Sequence, residues 1–167
     1  ALDLAGCDFS SRLTGHVRRL VEDYGMNWWK YDQEFLGDGT RAGKMKNIAA
    51  LQTSLAAVRL AFPDLSIENC MSGGRMINGF TDAISQSHWI RDGSANGLKH
   101  SRSNIAEALG AVDFLAPYKV QRWTNRIDEI HDPESLRLYC RSAMIGTGGI
   151  SADLTKVAAA EQRIILQ

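Results

Sequence analysis

The strongest constraint on the fold is an alternation along the chain. Short strand-like runs end abruptly in polar residues, and segments with helical spacing of apolar positions separate them. Residues 1–4, 26–31, 65–67, a stretch within 83–90, 112–115 and 144–150 read as strands. Leu13, Val17, Leu20, Val21 and Tyr24 mark one helix face, and Gly25 is placed to end that helix in a left-handed cap. Phe9-Ser10-Ser11 offers hydroxyls for its N-cap. Residues 34–46, polar and Gly-rich, read as a loop. Ile48, Leu51, Leu55, Val58 and Phe62 mark a second helix, closed by Pro63-Asp64. Residues 104–111, with Ile105, Ala108 and Leu109 inward, and 161–166 also read as helical. Asp132-Pro133-Glu134 is a strong helix start: Asp caps, Pro takes the first helical position and Glu complements the dipole.

Helices between strands favour parallel pairing, because a parallel crossover needs a dozen or more residues. About six βα units are legible, where a closed (β/α)8 barrel has eight. The expectation is an α/β fold, a partial (β/α)8 TIM barrel, with residues 1–167 as part of a single barrel domain. An open doubly wound sheet is the other arrangement, but its phosphate fingerprints are missing, and Gly146-Thr147-Gly148-Gly149 is at most a weak likeness to one. The chain starts in strand-like Ala1-Leu2-Asp3-Leu4 and stops in apolar Ile164-Ile165-Leu166-Gln167, so a segment of a longer chain is expected.

Composition narrows the function classes. Formal net charge is zero, which gives no electrostatic footprint for nucleic acid or an anionic membrane. No apolar run approaches the roughly 20 residues that span a bilayer. Cys7, Cys70 and Cys140 are odd in number and fit no zinc module. They favour a reducing compartment such as the cytoplasm over a disulfide framework. His88, His100 and His131 lack metal-ligand spacing.

Two aspartates each close an aromatic-rich run: Asp32 after Met26-Asn27-Trp28-Trp29-Lys30-Tyr31, and Asp92 after His88-Trp89-Ile90-Arg91. A carboxylate at a strand's end is the usual place for catalysis in a parallel α/β enzyme. Two of them suit a glycoside hydrolase, which needs a carboxylate on each side of the scissile bond, about 5–5.5 Å apart in a retaining enzyme. The plainer alternative is a pair of ordinary loop carboxylates. Asp3, Asp8 and Asp153 are second choices. Of Trp28 and Trp29, strand alternation lets only one face a barrel interior. Trp123 suits a pocket wall or surface packing equally. Cys70 taken alone is a buried thiol, Glu68 a tie between strand ends, and Arg18-Arg19 a solvated helix face.

Four segments resemble the family 36 α-galactosidases of the glycoside hydrolases, in order and across nearly the whole chain. Trp29-Lys30-Tyr31-Asp32 resembles the K-[WY]-D strand end of that family. Glu68-Asn69-Cys70-Met71-Ser72-Gly73-Gly74-Arg75 resembles its E-[NS]-C-x-S-G-G-R segment, and Trp89-Ile90-Arg91-Asp92 its W-x-S-D segment. Arg141-Ser142-Ala143-Met144-Ile145-Gly146 with Gly149-Ile150-Ser151 resembles its final barrel strand. The resemblance implies a barrel fragment from about the third to the eighth strand. It implies Asp32 as nucleophile, Asp92 as general acid/base, Lys30 bonding sugar hydroxyls, and Cys70 and Gly73 lining the pocket near the sugar's 2-position. The implied reaction is exo-acting, retaining cleavage of terminal α-galactosyl residues without metal or cofactor. The implied partner is an α-galactoside carbohydrate, with no nucleic acid and no membrane; a homo-oligomer of the full-length parent stays open. Gln33-Glu34 after Asp32, Arg91 in place of a Ser, and Gly93-Ser94-Ala95 in place of an acidic stretch depart from the pattern beside the reacting sugar. An α-N-acetylgalactosaminidase, another α-glycosidase on the same barrel, or a non-catalytic carbohydrate-binding fragment are the alternatives.

Overall fold

The computed structural model describes residues 4, 8–32, 40–92, 98–125 and 127–166, without the side chains of 98–104 and 125. Residues 1–3 of the strand expected at 1–4, Asp3 among them, together with Cys7, the 34–39 part of the expected loop, Gly93-Ser94-Ala95 and the His100 side chain, lie outside the described residues. The chain divides into two compact units, Ala1–Gln86 and Ser87–Gln167. Among the described residues, no helix is long and apolar enough to cross a membrane.

In the first unit, α1 (Phe9–Tyr24) and α2 (Arg41–Ala61) pack together over a sheet of β1 (Trp28–Tyr31) and β2 (Ser66–Asn69). The two strands pair in parallel, with Lys30 opposite Glu68. Val17, Leu51, Leu55, Val58, Phe62 and Ile67 form the buried core, and Trp29 packs against it. Gly25 ends α1 at φ +67°, its N–H returning to the Val21 carbonyl. Helix α1 begins directly after Asp8, which makes no side-chain cap, so Ser10 and Ser11 lie inside the first turn rather than capping it. Arg18 and Arg19 pair with Glu22 and Asp23 along the exposed face.

Residues 41–46 are helical, not loop. Thr40 caps α2 by accepting the Gly43 N–H at 3.0 Å, and buried Asn47 accepts the Leu4 N–H. That polar anchoring is invisible to apolar periodicity. β2 runs two residues past the expected 65–67. It leads into α3 (Met71–Gly74), a single turn, and α4 (Gly79–Ile84), whose Asn78 and Thr81 form a capping box.

Arg59 gathers the ends of these elements. Its guanidinium donates to the carbonyls of Phe62, Pro63, Leu65 and Ile84 and to Gln86 Oε1, at 2.6–3.4 Å. Gln86 Oε1 also accepts the Ile67 N–H at 2.7 Å, so one cation ties helix ends to the sheet.

In the second unit, β3 (Ser87–Trp89), β4 (Val120–Asn125) and β5 (Thr147–Ser151) pair in parallel in that order. Helices α5 (Leu98–Ala111), α6 (Pro133–Ala143) and α7 (Ala159–Ile165) follow the three strands in turn. Ile127, Ile130, Leu136, Tyr139 and Val157 are its core. Asp132 caps α6 through the Ser135 N–H at 2.8 Å, with Pro133 in the first turn. The strand expected at 112–115 is instead the turn that ends α5, and the strand lies at Val120–Asn125. Its Gln121, Arg122 and Thr124 are polar yet buried, which hid it from the hydrophobic pattern. Arg122 donates to the Ser142 carbonyl at 2.5 Å, which accounts for its burial. Leu109, expected inward, is exposed, while Ala108 is buried. The final strand starts at Thr147, not 144. Gly146 stands at φ +96°, where a Cβ would lie 2.3 Å from the Val120 carbonyl oxygen, so the chain turns there before it can extend.

Replacing Arg59 by Met should strip five acceptors of a charged donor and destabilise the protein by about 2–4 kcal/mol. Urea unfolding with an unchanged slope should show it, and a loss under about 0.5 kcal/mol would mean the network is dispensable.

Candidate active site

Strand alternation sorts the first unit's sheet into two faces. Trp29, Tyr31 and Ile67 turn toward the helices and are part of the apolar cluster. Trp28 and Lys30 of β1 and Asp32 at its exit share the opposite face with Glu68 of β2 and Cys70 at its exit. The question posed by the two tryptophans is thereby answered: Trp29 packs in the core and Trp28 does not.

Four of the five candidate residues meet at this strand end. Cys70 N–H donates to the Tyr31 carbonyl at 3.1 Å, bringing the two strand ends together just before Asp32. The Ser72 N–H donates to Asp32 Oδ1 at 3.0 Å. The Cys70 thiol lies close enough to Gly73 and Asp32 for both to act on it, the Gly73 amide favouring the thiolate and the Asp32 carboxylate the protonated thiol. Lys30 Nζ stands 3.5 Å from Glu68 Oε1 and acts electrostatically on Cys70.

The local backbone explains how this is possible. Met71, Ser72, Gly73 and Gly74 all have positive φ, from +50° to +87°, so α3 is a turn wound the left-handed way. Its closing bonds run from Gly74 N–H to the Cys70 carbonyl and from Arg75 N–H to that of Met71. A left-handed turn costs nothing at Gly and roughly 1–2 kcal/mol at each other residue. The two glycines after Ser72 keep the cost to two positions. The winding aims the consecutive amides of Ser72 and Gly73 back at Asp32 and Cys70. Strain held where a carboxylate needs donors is the pattern of a functional turn.

Asp92 belongs to the second unit. Its Oδ1 accepts the Trp89 indole N–H at 2.8 Å, so the aspartate's rotamer is set from its own strand. Trp89 meets Trp123 edge to face, ring centroids 5.9 Å apart, and Trp123 lies over the bare backbone of Gly149. Trp123 is on strand β4 and partly exposed. Arg91 pairs with Glu107. Of the second-choice carboxylates, Asp153 caps the short turn Leu154–Lys156 through Thr155 and pairs with Lys156. Asp8 precedes α1 and makes no side-chain cap. Among the described residues, no group of three His, Cys, Asp or Glu side chains is placed to hold a metal. Sequence reading overlooked the pairing of Trp28 Nε1 with Glu68 Oε2 at 3.0 Å and that of Trp89 with Asp92. The second was open to detection, since residue 92 follows residue 89 by three.

No protein-family model and no curated protein matches the chain. Solved structures do. The α-galactosidase from Lactobacillus brevis matches over 99% of this chain at 17% identity with a TM-score of 0.77. The galactosidase domain of the α-galactosidase-sucrose kinase AgaSK matches over 99% at 15% identity with a TM-score of 0.78. The family GH36 α-galactosidase AgaA of Geobacillus stearothermophilus, as its A355E D548N variant in complex with raffinose, matches over 99% at 14% identity and 0.76. The chain spans about a quarter of the length of these proteins, 23–24%. At such identities the likeness establishes a shared fold.

Burial, and then the neighbouring Asp32, push the Cys70 thiol from 9.0 up to about 11, against the Gly73 amide and Lys30. In the native protein Cys70 should therefore be alkylated by iodoacetamide about a hundredfold more slowly at neutral pH than an exposed cysteine. Asp32→Asn should speed it by removing a raising influence. The thiol stays protonated in the folded state, so its contribution to stability is whole below pH 9.0 and is lost as pH rises toward about 11. Peptide mapping of alkylated Cys70 across pH 7–11 would check this, and a neutral-pH rate equal to free cysteine would contradict it.

Proposed function

We propose that this chain is part of the (β/α)8 catalytic barrel of a retaining α-galactosidase, with both units belonging to one barrel domain. The observation that carries the reading is the Asp32 carboxylate, held by the Ser72 amide beside Cys70 and Lys30. It lies at a parallel strand's end, on a fold shared with α-galactosidases.

In this reading Asp32 attacks the anomeric carbon and forms a glycosyl-enzyme, while Asp92 protonates the departing oxygen and then deprotonates the incoming water. The Ser72 donor on Asp32 restrains its rotamer, so the attacking oxygen is aimed before the sugar binds. The high thiol pKa keeps Cys70 protonated rather than a competing thiolate nucleophile. Lys30 supplies an ammonium to sugar hydroxyls, with Cys70 and the side-chain-free Gly73 lining the pocket close to the 2-position. The Trp89 indole holds one oxygen of Asp92.

The test is kinetic. In the natural protein carrying this sequence, Asp32→Ala should lower kcat on nitrophenyl α-galactoside by at least about a thousandfold, and a fluorosugar inactivator should label Asp32. Asp92→Ala should spare substrates with good leaving groups and cripple those with poor ones, because only the latter need proton donation. Labelling at another carboxylate, or equal losses on both substrate types, would overturn the assignments.

A further inference from the structure

Glu68 is a charged side chain with only 5% of its surface exposed, and both its oxygens face donors on the neighbouring strand. Oε1 lies 3.5 Å from Lys30 Nζ, and Oε2 accepts the Trp28 indole N–H at 3.0 Å. The parallel register sets Glu68 directly opposite Lys30, so these contacts need no bend of the chain. A buried carboxylate is costly to desolvate, and a well-packed apolar side chain would serve stability as well or better. Both donors lie on the face that carries Asp32. Lys30 remains 39% exposed and Trp28 45% exposed, so each reaches from the anchor toward open space.

We propose that Glu68 is a positioning residue of the sugar site. It sets the Lys30 ammonium and the Trp28 ring before substrate arrives. The inference rests on the reading of Lys30 as a donor to sugar hydroxyls. A lysine has large rotamer freedom, and a free one would lose that freedom only on binding, at the expense of affinity. Glu is required because its two oxygens both accept. A Gln could accept from one donor only and would turn an NH2 toward the other.

The test uses the natural protein with aryl α-galactosides and with 1-deoxygalactonojirimycin as the binding probe. Glu68→Gln should raise KM and the probe's Kd about tenfold and leave kcat within about threefold, since ground-state positioning is what is lost. Glu68→Asp should recover part of the loss. In a Lys30→Met background Glu68→Gln should add little, because the group it positions is gone. Independently of turnover, acylation of Lys30 by an N-hydroxysuccinimide ester, mapped by mass spectrometry against exposed Lys44, should rise severalfold in Glu68→Gln. If that variant does not fold, Trp28→Phe removes one anchor at an exposed position and should move KM and acylation the same way by about threefold. Unchanged KM and unchanged Lys30 acylation would overturn the proposal, as would full additivity with Lys30→Met. Raised Lys30 acylation in a protein that neither cleaves nor binds galactosides would uphold the anchoring and overturn the α-galactosidase reading instead.

Discussion

The parallel pairing of β1 with β2 is the constraint on which the candidate site depends. Its register places Lys30 across from Glu68 and Tyr31 across from Asn69, and lets the Cys70 amide close onto the Tyr31 carbonyl. Side chains alternate, so a slip of one residue would send Lys30 and Asp32 into the cluster of Val58, Phe62 and Ile67. The register is held from both sides. Apolar packing of Trp29, Tyr31 and Ile67 fixes one face, and the Glu68 contacts with Lys30 and Trp28 fix the other. Arg59 and Gln86 secure the elements around β2 by satisfying carbonyls and the Ile67 amide that would otherwise be buried without partners.

The left-handed turn after β2 is where the structure accepts local strain. Met71 and Ser72 occupy a backbone region that L-residues avoid. Burial of Met71 in the core cluster and the turn's own hydrogen bonds offset that cost. The return is geometric: two successive amides face a carboxylate and a thiol. A rigid sheet positions Asp32, and a strained loop completes its hydrogen bonding. That division of labour is common in α/β enzymes, whose functional groups sit on loops at strand ends.

The second unit solves a similar problem with aromatic surface. Trp89 is both a packing residue against Trp123 and a hydrogen-bond donor to Asp92. One side chain thereby couples the orientation of a carboxylate to the packing of two strands. On the other face of the same strands, Arg122 is buried and bonds the Ser142 carbonyl near the end of α6. Polar residues thus tie helix to sheet in the place where aliphatic side chains usually do so.

The alternation of strands and helices, the Gly25 cap, the apolar face of α2 and the Asp132-Pro133 start were legible because each rests on local chemistry: periodicity, backbone freedom or a capping side chain. The strand-end position of Asp32 was legible for the same reason. The strand at Val120–Asn125 was not, because its buried side chains are largely polar, and the helical start at Arg41 was not, because its first turn is largely exposed and held by the Thr40 cap rather than by an apolar stripe. The faces of Trp28 and Trp29, the partners of Glu68 and the aim of the Ser72 amide were decided only by tertiary structure. A chain of residues specifies which side chains alternate, but strand register and a neighbouring loop decide what each one meets. The sequence by itself determined the kind of groups available for chemistry and the order in which they come. Their convergence belongs to hydrogen bonds such as that from Ser72 to Asp32, which joins residues forty apart along the chain.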